Sequence, residues 1–429
     1  MAAARSSRQA LVIWSIAVVV YIAAVFHRTS LGVASLDAAQ RFHVGPAALA
    51  TFTVLQIGLY ALMQVPTGLL VDRFGPRRIL TIAAVLMGLG QVLFAVAASY
   101  PLGLLARAVL GVGDAMTFIS VLRLVASQFP ARRFAGMAAL TAALGTVGNL
   151  VATVPLTLLL GGVGWTVTFA VAGAATVVYA VVVAMRLPGV PASAAPVPLR
   201  EVPAEVGGSW RVPGTRLGFW VHFSTMFAPA VLGLLWGFPY LVQAQGLPAS
   251  AAGSLLGVLV LGALAGGPSL GLLISRRPEW RMPVVIGYLA GAVAVWAGLL
   301  GWPGGRVPVA VLVIAFGWLS LGGPASSIAF VLARDYNPMR RVGTATGVVN
   351  VGGFVAITVA ALGVGLLLDL SGSFRVALLV VVALLLLGTW RTVVWWRRAR
   401  AVVFAAEARG EDVPVRLRYR RWDAELAAA

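Results

Sequence analysis

The sequence predicts an all-α membrane protein with twelve transmembrane helices, and three observations support this prediction. Of the 429 residues, 60% are hydrophobic and only 10% are charged. The apolar residues fall into twelve stretches, each long enough to cross the ~30 Å hydrocarbon core of a bilayer. Arginine is concentrated in alternate connections between these stretches. A soluble domain needs more polar surface than this composition supplies, so lipid is the expected surroundings of most of the chain.

The apolar stretches form two groups of six around a segment rich in Pro and Ala. The first group covers about 10–36, 47–71, 78–99, 101–127, 134–160 and 164–186, and the second about 216–244, 250–275, 282–301, 307–333, 342–369 and 374–397. The predicted domains are an N-terminal half at 1–186, a linker at 187–215, a C-terminal half at 216–397 and a basic tail at 398–429. We interpret the N-terminal stretch as an uncleaved first helix because a second span follows it directly.

Arginine placement predicts the orientation of the helices, since the chain contains no Lys. The even-numbered loops hold Arg73, Arg77, Arg78, Arg132, Arg133, Arg276, Arg277, Arg281, Arg340 and Arg341, whereas the opposite loops hold only Arg41, Arg306 and Arg375. Basic loops stay in the cytoplasm, so both termini are predicted to be cytoplasmic in a multi-pass protein of the inner (plasma) membrane. This placement also accounts for the formal charge of +19 without any nucleic-acid partner.

The two halves repeat three short motifs at nearly one offset. Pro130-Ala131-Arg132-Arg133 recurs as Pro338-Met339-Arg340-Arg341, Gly113-Asp114-Ala115 as Gly323-Pro324-Ala325, and Gly68-Leu69-Leu70 as Gly271-Leu272-Leu273. The offsets lie between 203 and 210 residues. We therefore expect a duplicated six-helix unit, as in transporters whose two halves surround a central site.

The loop between the second and third stretches carries the most specific motif. It runs Gly68-Leu-Leu-Val-Asp72-Arg73-Phe-Gly75-Pro-Arg77-Arg78 and resembles the signature of the major facilitator superfamily at this loop. We interpret Asp72, Arg73, Gly75 and Arg77 as a conformational latch, in which Gly75 makes the turn and Asp72 caps or pairs with a charge at a helix end. The alternative is a solvated charged turn. The second copy has Ser275 where Asp72 stands, which predicts a weaker latch there.

Few charged residues lie deep within the stretches. Asp114 is the one acid well within a span, and Arg28 and Arg107 are comparably deep. A charge at the bilayer centre costs at least ~2.5–3.5 kcal/mol, so such residues normally face a cavity or a partner. Asp114 is either a proton-coupling site or half of a structural ion pair with an Arg of a neighbouring helix. Arg28 is either an anion-binding fork or a structural partner, and Arg107 has a ligand-contact or a packing and gating role.

Three short matches resemble the anion:cation symporter branch of the superfamily. They are His27-Arg28-Thr29-Ser30 in the first stretch, Gln64-Val-Pro66-Thr-Gly68 through Gly75 in the second, and Arg107, Gly111, Asp114 and Ala115 in the fourth. The resemblance implies that Arg28 meets an organic anion and that Asp114 takes part in proton coupling. His27 stands where the branch usually has Asp, and it becomes a second proton-coupling candidate. Gly111 and Arg107 are then assigned to conformational change.

The sequence therefore predicts proton-coupled symport of a small organic anion, with Arg28, Tyr60, Gln64 and Asn350 binding the solute. Tyr60 and Gln64 share a helix face at i, i+4 spacing, and Asn350 carries an amide into the eleventh stretch. Gly and Pro in the seventh and tenth stretches predict bends, and His222, two turns after Arg216, is expected at the membrane interface. The rivals are efflux of amphiphilic or cationic compounds and a non-transporting sensor or scaffold. No enzyme activity, cofactor or metal is predicted, and the fold needs no protein partner, so a monomer is expected.

Overall fold

The computed structural model describes residues 7–189, 202–338 and 341–411, and in these ranges it contains helices and no strands. Several predicted features lie outside the described residues: Arg340, positions 190–201 of the linker and the tail beyond 411. The side chains of Asp72 and Arg132 also lie outside the description. The all-helical prediction is confirmed for the described part of the chain.

The chain packs as two compact units. Unit 1 lies within the bounds Met1–Pro196 and Leu232–Val260, and unit 2 lies within Val197–Val231 and Leu261–Ala429. The packing of unit 1 therefore includes a segment that follows the predicted linker in sequence.

Unit 1 contains eight helices before residue 190: α1 Ser7–Thr29, α2 Ser35–Phe42, α3 Pro46–Phe74, α4 Pro76–Val96, α5 Tyr100–Ala115, α6 Thr117–Gln128, α7 Ala131–Val151 and α8 Val154–Arg186. Proline stands in the first turn of α3, α4, α5 and α8, where its missing N–H costs no helical hydrogen bond. The core forms where α4 packs on α8 and α5, and where α1 packs on α7. Glycines permit these contacts: a Cβ on Gly88 would lie 2.6 Å from the carbonyl oxygen of Gly173.

The remaining helices are α9 Val202–Arg211, α10 Pro213–Val231, α11 Gly237–Pro239, α12 Ala249–Arg276, α13 Arg281–Gly301, α14 Val309–Ser320, α15 Gly322–Asp335, α16 Val342–Ser371, α17 Phe374–Ala377 and α18 Leu379–Ala408. In unit 2, α10 is central and packs against α15, α16 and α18. The described ion pairs of this unit lie near helix ends, where Arg281 pairs with Asp335 and Arg341 pairs with Glu205.

Eleven helical segments of the described chain are long and apolar enough to cross a membrane. They match the predicted stretches one to one except at Gly136–Arg186, a single candidate of 51 residues that covers the predicted fifth and sixth stretches. Gly164 interrupts the helical backbone within it, at φ 74° and ψ 177°. The count by length and composition is therefore eleven rather than the expected twelve.

Three predicted stretches are interrupted near their middles. The fourth is divided into α5 and α6 at Met116, and the tenth into α14 and α15 at Leu321. The seventh continues from α10 through π-helical turns at Leu232–Trp236 and Tyr240–Ala244. The bends predicted from Gly and Pro in the seventh and tenth stretches are thus present as local departures from α-helix.

His222 is packed inside unit 2, and its expected depth at the membrane interface stays a prediction. The residue is 2% exposed, and its ring lies 4.9 Å from that of Phe330, centroid to centroid.

Candidate functional site

Arg28 and Asp114 form a two-pronged ion pair in unit 1. Arg28 lies in the last turn of α1 and Asp114 in the last turn of α5. Nε of Arg28 donates to Oδ2 of Asp114 at 2.8 Å, and Nη2 donates to Oδ1 at 2.6 Å. Asp114 is fully buried, whereas 22% of the Arg28 side chain is exposed. The parallel geometry is the strong, bidentate form of an Arg–carboxylate contact.

The helix that carries Asp114 is interrupted directly after it, at Met116. Thr117 Oγ1 donates to the Asp114 carbonyl at 2.8 Å, and Ser120 Oγ donates to the Met116 carbonyl at 2.6 Å. Hydroxyl groups that bond to nearby backbone carbonyls bend helices. On α5, Gly111 lies against Gln56 of α3, since a Cβ there would be 3.1 Å from the Gln56 carbonyl oxygen. Gly111 therefore permits close packing of the helix that carries Asp114.

Tyr60 lies beside the ion pair. The guanidinium carbon of Arg28 lies 4.5 Å from the ring centroid of Tyr60 on α3, a cation–π contact. Gln64 donates from Nε2 to the Tyr60 carbonyl at 3.1 Å, so part of its amide is used within its own helix. The structure thus brings Arg28, Tyr60 and Asp114 together in unit 1, with Gln64 one turn beyond Tyr60. Asn350 lies on α16 in unit 2 and is partly buried.

Arg107 lies on α5, and its fully buried side chain reaches the C-terminal end of α1. Its Nη1 donates to the His27 carbonyl at 3.3 Å and its Nη2 to the Arg28 carbonyl at 3.5 Å. These carbonyls belong to the last turn of a helix, which leaves acceptors free and carries partial negative charge. Its guanidinium carbon also lies 5.4 Å from the Phe94 ring centroid. Arg107 therefore holds the backbone that presents Arg28.

His27 faces away from the ion pair. Its Nε2 lies 2.9 Å from Thr176 Oγ1, and that hydroxyl donates in turn to the Ala172 carbonyl. Since the hydroxyl proton is used, we assign Nε2 as the imidazole donor. The other ring nitrogen, Nδ1, is buried with no hydrogen-bond partner among the described residues.

The charges at this site do not cancel. Two buried or largely buried guanidiniums, those of Arg28 and Arg107, share one carboxylate. Asp114 is the one acid in the candidate spans of unit 1. The site therefore carries an excess of one positive charge in a medium of low polarity, where an anion gains most from it.

The predicted latch loop joins α3 to α4 in unit 1. Gly75 lies between the two helices at φ 79°, a conformation that favours glycine, and Pro76 starts the next helix. Arg73 is exposed and its guanidinium carbon lies 5.3 Å from the Phe74 ring centroid, and Arg77 is also exposed. The turn geometry agrees with the interpretation of Gly75, while the contacts of the Asp72 side chain lie outside the described residues.

Sequence reasoning missed one aromatic side chain and one pairing. Tyr21 lies two helical turns before Arg28, on the same face of α1, and packs on Phe118 with ring centroids 5.1 Å apart. Its i, i+7 spacing from Arg28 was the available signal. The pairing of Arg28 with Asp114 joins residues 86 positions apart. An ion pair with another helix was one of the two alternatives stated for each of these residues, and the structure contains that pair.

Comparisons with known proteins agree with this architecture. The Major Facilitator Superfamily model matches residues 16–329. The probable sulfoacetate transporter SauU of Cupriavidus necator strain H16 is 24% identical over 366 residues, which cover 78% of this chain and 84% of that protein.

Solved structures show the same fold at low sequence identity. A bacterial homologue of the human lysosomal transporter Spinster, in an inward-facing and unoccupied conformation, superposes with a TM-score of 0.71 at 17% identity, covering 96% of this chain and 100% of the other. A D-xylose–proton symporter gives a TM-score of 0.69 at 16% identity, with 90% and 97% covered. The family match spans well over half of the sequence, and the chain belongs to the major facilitator superfamily of membrane transporters.

Proposed function

We propose that the protein moves a small organic anion across the membrane together with a proton, by alternating access. The observation that carries this proposal is the Arg28–Asp114 fork, in which a partly exposed guanidinium is held by a carboxylate that is the one fully buried acid among the described residues of unit 1. A solute carboxylate or sulfonate has the same fork-accepting geometry as Asp114 and would compete with it. The resemblance to a protein named as a probable sulfoacetate transporter supports an anionic solute.

Competition for Arg28 couples the proton to the anion. When Asp114 is ionised, it occupies both prongs of Arg28 and repels a second anion. When Asp114 binds a proton, it loses its charge, and Arg28 becomes an uncompensated buried cation, which is costly until an anion pairs with it. Proton and anion therefore bind together, and each strengthens the binding of the other by the same factor. For a monovalent anion the pair moves no net charge.

The other buried groups support this exchange without carrying the proton. Arg107 adds a fixed positive charge and holds the end of α1 through the His27 and Arg28 carbonyls. A protonated His27 would be a third cation beside Arg107, with Asp114 already paired to Arg28. We therefore assign proton coupling to Asp114 and a structural role to His27, which bonds to Thr176. Tyr60, Gln64 and Asn350 are proposed to orient the solute.

Alternating access requires parts that change conformation. We propose that Gly75 and the charged residues Asp72, Arg73 and Arg77 stabilise one conformation at the α3–α4 loop and release in another. Gly111 and Arg107 connect the moving helices to the ion pair, because one lies against α3 and the other holds the end of α1.

The proposed topology has twelve helices in two six-helix halves, with both termini in the cytoplasm. A straight helix of 51 residues would be about 75 Å long, more than twice the ~30 Å hydrocarbon thickness. The Gly136–Arg186 candidate has a backbone break at Gly164, which supports two spans there. With the other ten candidates this gives twelve. An inner-membrane, monomeric protein is the simplest arrangement of this topology.

Because the chain has no Cys, single cysteines can map this topology directly. Ser99→Cys and Ser373→Cys lie in predicted outer loops, and Ser127→Cys and Ser275→Cys lie at predicted cytoplasmic helix ends. In intact cells, a membrane-impermeant maleimide is expected to label the first pair only, and the second pair after permeabilisation. An odd number of helices between Ser99 and Ser373 would place these two residues on opposite sides and would refute the twelve-helix arrangement.

The function is tested by ligand binding to purified protein. Sulfoacetate, malonate and phosphonoacetate are compared with tetraphenylphosphonium, using the rise in thermal unfolding midpoint, which remains visible for millimolar ligands. We expect stabilisation by one or more of the anions, with an affinity that falls by up to about tenfold per pH unit once Asp114 is ionised. In weak buffer, anion addition should raise the pH because protons are taken up. Stabilisation by the hydrophobic cation alone would favour efflux of cationic compounds.

A further inference from the structure

A second group of arginines lies in unit 2, far in sequence from the ion pair. The arginine–tryptophan cluster consists of Arg216, Arg391, Arg398, Trp210, Trp220 and Trp395. Arg391 and Arg398 lie seven residues apart on α18, hence on one face of that helix. Arg216 and Trp220 lie four residues apart on α10, which packs against α18. The cluster therefore forms where these two helices meet.

Each arginine of the cluster lies on an indole ring. The guanidinium carbons of Arg216 and Arg398 both lie 4.7 Å from the Trp395 ring centroid. That of Arg391 lies 5.1 Å from the Trp220 centroid and 6.0 Å from the Trp395 centroid. Three positive charges are thus gathered around one tryptophan that is 5% exposed. Cation–π contacts hold the guanidiniums in place but do not neutralise them.

No carboxylate balances these charges within the part of the chain that the structure describes. Among the described residues, the ion pairs of unit 2 involve other arginines, and Arg216 donates a hydrogen bond from Nε to the Trp210 carbonyl at 2.7 Å. Nε of Arg391 and the indole nitrogens of Trp220 and Trp395 are buried donors that find no acceptor among the described atoms. The cluster therefore offers positive charge and donors in a place where acceptors are lacking, which is the complement of a phosphate group.

The position of the cluster along α18 points to lipid as the source of that phosphate. The candidate span that contains α18 is Phe374–Ala408, 35 residues long, whereas about 20 residues cross the hydrocarbon core. Counted from Phe374, the core ends close to Arg391. Leu387, one turn before Arg391 on the same face, is 41% exposed, and Trp390 is 59% exposed. An apolar side chain below an arginine pair suits an acyl chain attached to a headgroup.

We propose that the arginine–tryptophan cluster is a binding site for the headgroup of an anionic phospholipid. The phosphate lies between the accessible ends of Arg391 and Arg398, and the acyl chains run along the Leu387 face of α18. By the predicted orientation this is the cytoplasmic leaflet, whose anionic lipids attract basic residues by about 1 kcal/mol each. The site does not include Arg28 or Asp114, so it can be tested separately from the proposed transport activity.

The test is lipid binding to the full-length protein in neutral detergent. Phosphatidylglycerol and phosphatidylcholine with the same acyl chains are titrated while the thermal unfolding midpoint is followed, and glycerol 3-phosphate supplies a phosphate without chains. We expect phosphatidylglycerol to raise the midpoint well above the other two. Equal effects of the two lipids would overturn the proposal, as would an equal effect of glycerol 3-phosphate, which would indicate a site for a soluble phosphate.

Variants locate the effect. Arg398→Gln changes an exposed side chain and is expected to weaken the apparent affinity for phosphatidylglycerol about fivefold, and Arg391→Gln with Arg398→Gln about thirtyfold. Arg397→Gln removes the same charge from the neighbouring exposed position on another face of α18 and is the matched control. It should leave the affinity within about twofold of the wild type. A loss at Arg397→Gln as large as that of the double variant would show general charge attraction and refute the site.

Discussion

The fourth stretch of each half is interrupted near the same repeated motif, yet the two copies differ in chemistry. In unit 1 the motif is Gly113-Asp114-Ala115, and the helix is interrupted at Met116. In unit 2 it is Gly323-Pro324-Ala325, and the helix is interrupted at Leu321. The interruption is common to both copies, whereas the buried carboxylate is present in one. The backbone irregularity therefore does not depend on the acid.

The two copies therefore share the helix interruption but differ in buried charge. Asp114 is fully buried and paired with Arg28, while the described ion pairs of unit 2 join residues near helix ends, such as Arg281 with Asp335. We propose that both interruptions serve bending, and that the proton and the charged group of the anion bind in unit 1. Variants in each of the two copies test this inference.

Arg28→Lys is expected to have the largest effect on anion binding. Lysine keeps the charge but loses the fork, and loss of a charge-assisted contact is worth roughly 1.5–3 kcal/mol, about ten- to hundredfold in affinity. The dissociation constant for the best anion of the stability screen is the measurement. Arg41→Lys is the control, since Arg41 bonds to the Ala95 and Ala97 carbonyls of the same unit. Affinity within threefold of the wild type for Arg28→Lys would make Arg28 a structural residue.

Asp114→Asn is expected to abolish proton-driven accumulation. In vesicles with a pH gradient of one unit and no membrane potential, symport of one proton per anion supports up to about tenfold accumulation, and the variant should only equilibrate the solute. Anion binding should become nearly independent of pH, because Arg28 no longer faces a titrating carboxylate. Asp37→Asn, which removes an acid outside the candidate spans, should accumulate solute like the wild type. If Asp114→Asn still accumulates solute while His27→Asn does not, the assignment of the two residues is reversed.

The sequence predicted much of this site because its components are rare. One acid well within the predicted stretches and a few deep arginines leave few choices, and charge in lipid is costly. The pairing itself was beyond sequence reasoning, since Arg28 and Asp114 are 86 residues apart and helix periodicity does not say which helices face each other. The packing of His222 inside unit 2 was beyond sequence reasoning for the same reason, because its spacing from Arg216 does not say which side chains surround it. The break at Gly164 lies where the sequence separated the fifth stretch, 134–160, from the sixth, 164–186.

Asp72→Asn compares the two latch loops. If Asp72 stabilises one conformation, its loss should slow transport about two- to tenfold, the range of one hydrogen bond or a weak ion pair. Equilibrium binding of the anion should stay within twofold, since Asp72 lies in the last turn of α3, 12 residues after Tyr60, which contacts Arg28. Ser275→Ala, at the equivalent position of the second copy, should change neither quantity. A parallel loss of binding in Asp72→Asn would place this loop in the solute site.

Pro324→Ala is expected to have the smallest effect, and it tests the comparison most directly. Pro324 is the third residue of α15, in the first turn, where an N–H has no intrahelical partner, so the proline is not needed for the hydrogen bonds of the helix. Replacing it mainly frees the unfolded chain and should cost about 0.4–1 kcal/mol of stability. Uptake driven by a pH gradient and the pH dependence of anion binding should match the wild type, because no charge is altered. If Pro324→Ala uncouples transport from the proton while Asp114 is intact, then coupling depends on the helix interruption in unit 2 as well as on the carboxylate in unit 1. That result would refute the inference that the two interruptions serve bending alone.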